Sequence, residues 1–358
     1  MEKTRHPICR PRRGTGHAAR AAALLLLLAG CAGVGPQRLN TDQMGYAAAL
    51  GDGQKQQMLL NMVRLRYADV PTFLTTSQII SGYTLQSTGQ VGLNAYPNAN
   101  PGNYATLSGT VEYTSRPTFT FTPVTGERFA QSYLRPLAAA ELLSLAQSGA
   151  PIDLLFRLGV QSVNGLVNGA ASGGEMRAAS GGFEALMAAL REVQAAGTVS
   201  LRFERMPSGN RVYLMLDGEE PRARAALRDI RRILRADASA REFEVVYGRQ
   251  SGRPGQIAVL TRSVLQIFYE LGAGIDVPRA SIRRGDTVPA APGGLIAVHQ
   301  GADEPRDAFA AVNYRNRWYW IDAGDYASKS AFAFAYVLQI LAESGQGQPT
   351  PVVTIPAQ

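Results

Sequence analysis

The chain has 358 residues, 46% hydrophobic and 18% charged, which excludes a low-complexity or natively unfolded polymer and leaves ample material for a packed core. Its formal charge of +8 is concentrated at the start: six of the 36 bases and one of the 28 acids lie in the first 30 residues, leaving 30 bases against 27 acids in the rest. A net +3 over that remainder is not the electrostatic footprint of a nucleic-acid binder.

The first segment has its own logic. Lys3, Arg5, Arg10, Arg12, Arg13 and Arg20 precede an uncharged run at 21–30 that contains five consecutive leucines. A basic head, a short apolar middle and small residues at the end describe a secretory signal over residues 1–30. Ten helical residues rise only about 15 Å, half the hydrocarbon thickness, so the run is not a permanent span. It closes on Leu28-Ala29-Gly30-Cys31, which resembles the bacterial lipobox. That resemblance implies cleavage before Cys31, a diacylglyceryl thioether on Cys31 and acylation of the new amino terminus. Several acyl chains anchor stably where one binds only marginally. Ala32, where an aspartate would favour the inner membrane, implies an outer-membrane address facing the periplasm. The competing reading is an ordinary cleaved signal followed by an incidental cysteine. With Cys9 in the leader, Cys31 is the only cysteine of the mature chain, so no disulfide and no cysteine metal site is expected.

Residues 31–52 are small and polar and read as a tether. A helix is expected over about 54–67, where Met58, Leu59, Met62 and Val63 form an apolar stripe, and Pro71 ends it. Residues 72–86 read as strand, 87–105 as a loop or hairpin tip rich in Gly, Asn and Ser, and from Leu107 the chain alternates again. Two extended arms around a polar tip predict one long β-hairpin over 79–122, either a surface excursion or an arm that pairs with a neighbour by strand addition. Residues 125–134 and 138–147 read as helices, 152–167 as helix or strand, and the Gly/Ala/Ser-rich stretch 168–182 as a subdomain boundary.

Beyond it, helical stripes at Phe183–Val193 and Ala226–Leu234 alternate with strand pairs at 199–203 and 212–216, then 243–247 and 257–260. Pro221 suits the first position of its helix, and Thr261 is placed to cap the next one, with stripe Val264, Leu265, Phe268 and Leu271. A further hairpin, 309–314 with 318–322, turns at Arg315-Asn316-Arg317 and leads to a final helix over 328–343, apolar nearly all round and so expected to be buried. The fold class expected is α+β, helices alternating with antiparallel hairpins in two packed subdomains, 53–168 and 183–343, with a tail at 344–358.

Catalytic equipment is sparse. His299 is the only histidine after the leader, and no G-x-S-x-G, P-loop, H-E-x-x-H or G-x-G-x-x-G motif follows it. Asp322 and Asp325, flanking Gly324 before the last helix, are candidate carboxylates for glycan cleavage or metal binding; the alternative is that Asp325 or Ser328 caps the helix and Lys329 pairs with an acid. Arg224, Arg228, Arg231 and Arg235 recur at i, i+4, i+7 and i+11, a candidate surface for lipopolysaccharide, anionic lipid or peptidoglycan, or simply a solvated face. Trp318-Tyr319-Trp320 can stack on sugars or serve as core.

Asn61-Met-Val-Arg-Leu-Arg-Tyr67 with Pro71 and Phe73, residues 156–168, and Trp318-Tyr-Trp-Ile-Asp322 with Asp325, Ser328 and Lys329 resemble an uncharacterised family of proteobacterial lipoproteins. The resemblance implies anchoring and no particular activity. The expected function is a non-enzymatic, lipid-anchored accessory or scaffold subunit of a cell-envelope assembly, without catalytic residues or cofactors. Its expected partners are the membrane through Cys31, and envelope proteins or further copies of itself. The alternatives are a glycan hydrolase or binding module using Asp322 and Asp325, and a lipid or lipopolysaccharide carrier.

Overall fold

A computed structural model describes residues 36–94, 104–172, 175–206, 209–218, 220–290 and 293–344. The expected signal over 1–30, Cys31 and residues 345–358 of the expected tail lie outside these residues. The chain divides into two units, Met1–Gln56 and Gln57–Gln358. In the first, the described residues are helical and Lys55 pairs with Asp52 at 2.7 Å. Helix α1 (Pro36–Arg66) therefore begins well before residue 54, and residues 36–52, expected as tether, are helix. The good helix formers Ala47, Ala48, Ala49, Leu50, Gln54 and Lys55 outweigh Gly45, Gly51 and Gly53.

The second unit is α+β. Its first feature is the hairpin β1 (Leu74–Asn94) and β2 (Tyr104–Pro123), paired antiparallel from Leu74↔Pro123 to Asn94↔Tyr104 with a bulge between Thr76 and Gln78. The expected hairpin is present and longer than expected. Strand covers 87–94 and 104–105 of the segment read as a tip, and 95–103 lie outside the described residues. Where the arms enter the body, Phe73 and Val124 are buried, and Phe73 packs on Tyr133 and Phe268 with ring centroids 3.9 and 5.9 Å away.

The chain continues as α2 (Gly126–Phe129), one π turn at Ala130–Leu134, α3 (Ala139–Gln147) and α4 (Ile152–Gly159). The ambiguous stretch 152–167 is helix and then strand, because α4 runs directly into β3 (Val160–Val163) and β4 (Leu166–Val167). A small hairpin, β5 (Ala170–Ser172) and β6 (Glu175–Arg177), precedes α5 (Gly181–Ala195), β7 (Val199–Met206), β8 (Gly209–Leu216), α6 (Pro221–Leu234), β9 (Glu242–Tyr247) and β10 (Gln256–Thr261). Pro221 is the first helical residue of α6, as expected.

These strands form one six-stranded sheet in the order β4-β3-β10-β9-β8-β7. It joins strands from both sides of 168–182, so that stretch lies inside one sheet-bearing unit and not between two. Asn168 shows why: buried at 5% exposure, its Nδ2 donates to the carbonyls of Phe156, Arg157 and Val160. A second correction concerns β9 and β10, which pair parallel, Gln256↔Glu244 to Val259↔Tyr247, and not as a hairpin. Ile257, Ala258 and Val259 are all buried, the signature of an interior strand covered on both faces. On one face Val163, Val259, Ile257 and Val245 converge with Leu186, Leu190, Ile230 and Leu234 of α5 and α6.

The last part holds α7 (Val264–Ala273), α8 (Arg279–Arg284), and a three-stranded sheet in the order β11-β13-β12, from β11 (His299–Gly301), β12 (Ala308–Tyr314) and β13 (Arg317–Asp322), closed by α9 (Tyr326–Ser344). Ser263, not Thr261, caps α7: its side chain accepts from Gln266 N while the Gln266 side chain accepts from Ser263 N. Thr261 is fully buried and donates to the Leu137 carbonyl instead, 2.6 Å away. The short α8 carries no apolar stripe and was not expected. Helix α9 buries Ala331, Phe332, Ala335 and Leu338 but leaves Ile340 45% exposed, so its burial is one-sided.

Candidate functional site

The face of the six-stranded sheet opposite α5 and α6 carries a cavity of about 990 Å³. Its floor is one cross-strand row, Val167, Ser162 and Leu260, set by the pairings Ser162↔Val167 and Leu260↔Ser162. One wall is α7, through Gln266, Tyr269 and Glu270; the others are the end of α1 and residues 285–289. Arg177 and Arg249 stand exposed at its edge.

Two further arginines are built into the walls. Arg262 is only 3% exposed; it donates to the carbonyls of Arg157, Leu158 and Gly169 and lies 3.3 Å from Glu270. Arg157 and Leu158 end α4, so the guanidinium also satisfies carbonyls that no further turn would accept. Burial lowers the pKa of Arg262, and the charge of Glu270 opposes that. Arg66 donates to the Val288 carbonyl at 2.6 Å, while Thr287 donates to the Arg66 carbonyl. Both guanidiniums are thus occupied in holding the walls together. What faces a guest is Gln161, Tyr269 and the edge arginines; Ser162 lies in the floor, its hydroxyl buried without a hydrogen-bond partner among the described residues. With no base bonded to Ser162, the arrangement suits binding of a polar or anionic group and not nucleophilic catalysis. None of these positions was singled out from sequence. A lone Arg closing an apolar strand, as in Ile257-Ala-Val-Leu-Thr-Arg262, was the available signal.

The residues that were singled out lie elsewhere. His299 Nε2 of β11 lies 3.2 Å from Asp322 Oδ2 across the pairing with β13, and within β13 Trp320 Nε1 donates to Asp322 Oδ1 at 2.8 Å. Asp325 precedes α9 and caps it: its Oδ1 accepts from Ser328 N at 3.0 Å and its Oδ2 from the Ser328 hydroxyl at 2.5 Å. These two bonds from Ser328 hold the Asp325 carboxyl below its ordinary range, whereas an acid catalyst of glycan cleavage needs a raised one. Ser328 is buried and its Oγ also accepts from Ala297 N, so it is no nucleophile for His299. Lys329 donates to the Ala323 carbonyl, and among the described residues no ion pair to an acid is formed by it. Among the described residues no cluster of three or more His, Cys, Asp or Glu is placed to hold a metal. In Trp318-Tyr319-Trp320 the core residue is Tyr319, 1% exposed, its hydroxyl 2.6 Å from that of Tyr67.

The arginine stripe of α6 is not uniform. Arg224 and Arg228 are exposed, Arg231 donates through Nε to the Ala240 carbonyl at 2.7 Å, and Arg235 leaves the helix at φ +54°. Arg231 and Arg235 therefore shape the helix end, and the sequence spacing overstated the stripe.

The β1–β2 hairpin is the other candidate site. It forms a two-stranded sheet of its own, and among the described residues no third strand pairs with either edge. Comparison with protein-family models, with curated proteins and with solved structures found no match.

Proposed function

We propose that this chain is a lipid-anchored subunit of a cell-envelope assembly, held to the outer membrane through Cys31, facing the periplasm, and joined to its neighbours through the β1–β2 hairpin. The anchor rests on the Leu28-Ala29-Gly30-Cys31 motif behind a basic, apolar leader. The assembly role is carried by one observation: a 21-residue strand paired with a 20-residue strand and with nothing else among the described residues. An isolated two-stranded ribbon is marginal in water, and its open edges are templates for pairing. No catalysis is assigned, since the described site residues hold structure or line a binding cavity.

The deciding experiment is gentle detergent extraction of the native, full-length protein followed by native mass spectrometry. The expected result is an acylated chain, shorter by the leader, in a discrete oligomer or with a stoichiometric partner. Deleting residues 88–105 is expected to dissolve that complex while leaving the circular dichroism of the body intact. A lone monomer, or a complex indifferent to the deletion, would refute the assembly reading. A second reading, a carrier of lipid or lipopolysaccharide, is favoured by the cavity above Ser162 with Arg177 and Arg249 at its edge. It predicts a bound anionic amphiphile in the same spectra, lost on Arg177→Glu with Arg249→Glu.

A further inference from the structure

We infer that β1 and β2 are neighbouring staves of a closed β-barrel assembled from several copies of this chain, one face of the barrel in lipid and the other lining an aqueous pore. This rests on the assembly reading above and names the partner, a second copy, together with the surrounding medium.

The register sorts the hairpin into two faces. From Gln78↔Thr120 to Asn94↔Tyr104 the ladder is unbroken, and odd-numbered positions pair only with odd, even only with even. Residues two apart share a face, so the odd rows make one face and the even rows the other. The odd rows include Leu85↔Tyr113, Val91↔Leu107 and Leu93↔Ala105; the even rows include Gln86↔Glu112, Thr88↔Thr110 and Gln90↔Ser108. The odd face is the more apolar, with Ser81, Ser87, Ser115, Gly89 and Gly109 among its positions, and the even face is mostly Gln, Thr and Ser apart from Ile80, Tyr104, Glu112 and Arg116, an alternation of the kind a membrane barrel strand shows.

Charge makes the same division. Strand β1 has no charged residue, and β2 has only Glu112 and Arg116, both at even positions. A soluble edge strand is normally guarded by lysines or inward charges against pairing with another chain. Here the whole odd face is free of charge, and the charge-free edge of β1 can meet a β2 edge that carries only Glu112 and Arg116. Length fits as well. Pro117 removes a donor near the base of β2, leaving 104–116 uninterrupted. Thirteen residues at about 3.3 Å each, tilted by about 40°, rise about 33 Å, enough for an apolar band of about 25 Å and its interfaces.

Closure follows from the edges. The free edge of β1 in one copy meets the free edge of β2 in the next, a head-to-tail contact that repeats until the ring shuts. An edge of about 20 residues is about 65 Å long and about 10 Å thick, so each such contact buries on the order of 1,300 Å², within the range of specific interfaces. In lipid every backbone N–H and C=O must be paired, and a closed barrel achieves this where an open ribbon cannot. No described helix is long and apolar enough to cross a membrane, which bears on helices alone.

The test uses the full-length lipidated protein, extracted in mild detergent and reconstituted into planar bilayers of phosphatidylcholine and phosphatidylglycerol. The expected result is a homo-oligomer that conducts in steps. Thr88→Glu, on the polar face, should keep oligomer and conductance and shift the reversal potential toward cation selectivity. Val91→Asp, on the apolar face, should abolish conductance. Because such a variant can fail simply by misfolding, single cysteines at successive positions from 84 to 93 provide a second readout. Once the leader is removed the only native cysteine is the acylated one, so a water-soluble maleimide should label the even positions and spare the odd ones in membranes. An oligomer with uniform labelling or no conductance overturns the barrel and leaves the assembly reading standing. A complex containing one copy with a foreign partner also overturns the barrel, whereas a lone monomer overturns both.

Discussion

At the scale of single residues, the structure turns two suspected carboxylates into structural fittings. Asp325 accepts from both the hydroxyl and the N–H of Ser328 at the start of α9, and those bonds depress its carboxyl pKa. A group whose folded pKa lies below its unfolded one stabilises fully above the unfolded value and loses that contribution as pH falls through the folded value. Asp325→Ala should therefore cost about 1 kcal/mol near neutral pH, the usual worth of an N-cap. The gap to the parent should close as acid is added, which thermal melts at stepped pH will read. A glycine makes the complementary point. Gly294 is exposed and looks like loop filler, yet a Cβ there would come within 2.9 Å of the Gly274 Cα, a backbone atom that cannot swing aside. Gly294→Ala should destabilise by about 1–3 kcal/mol, the range of overpacking. Gly181→Ala, with nothing within 4 Å, should be close to neutral in the same melts.

At the scale of elements, Arg262 joins α4, β10 and α7 through one guanidinium. Only 3% exposed, it binds three carbonyls and faces the charge of Glu270. Removing one member of such a pair strips the other buried charge of its counter-ion, at a cost of about 3–5 kcal/mol. Arg262→Met should lose stability on that scale in urea unfolding, and the double variant Arg262→Met with Glu270→Gln should recover part of it. If the single and double variants are equally unstable, the carbonyl contacts and not the ion pair hold these elements. The stripe on α6, the capping of α7 and the strand character of 243–247 and 257–260 illustrate how far local pattern reaches. The helix and the strands are where periodicity put them. Periodicity decided neither the cap of α7 nor the direction of β9 against β10: Thr261 is drawn to the distant Leu137 carbonyl and leaves the cap to Ser263, and β10 pairs parallel with a strand twelve residues before it.

At the scale of the whole molecule, the sheet order β4-β3-β10-β9-β8-β7 makes residues 57–358 one unit across the stretch where composition alone suggested a seam. Cleavage engineered within 168–182 should leave the two pieces associated, and the body should melt in a single transition; two separate transitions would restore the seam. The α+β class and most helices were legible because an amphipathic stripe repeats within a few residues. The hairpin was legible for the same reason at period two, and the register extends it to within a few residues of its tip. The cavity was not legible. Its floor comes from β3, β4 and β10 and its walls from α1, α7 and 285–289, segments brought together from across more than 200 residues.

The amino-acid sequence by itself determined the basic, then apolar N-terminal run that closes on Leu-Ala-Gly-Cys, the amphipathic alternation and low charge of the hairpin, and the positions of the helical stripes. These are properties of adjacent or near-adjacent residues, and the physics that reads them, from apolar transfer to backbone periodicity, acts over one or two turns. Only the tertiary structure decided that β10 is an interior strand, that Ser162 and the buried arginines share one cavity, that Asp325 is a cap, and that the hairpin keeps both edges open among the described residues. Those facts rest on which distant segments pack against one another, and that choice is made by the summed burial of the whole core, which no local window contains.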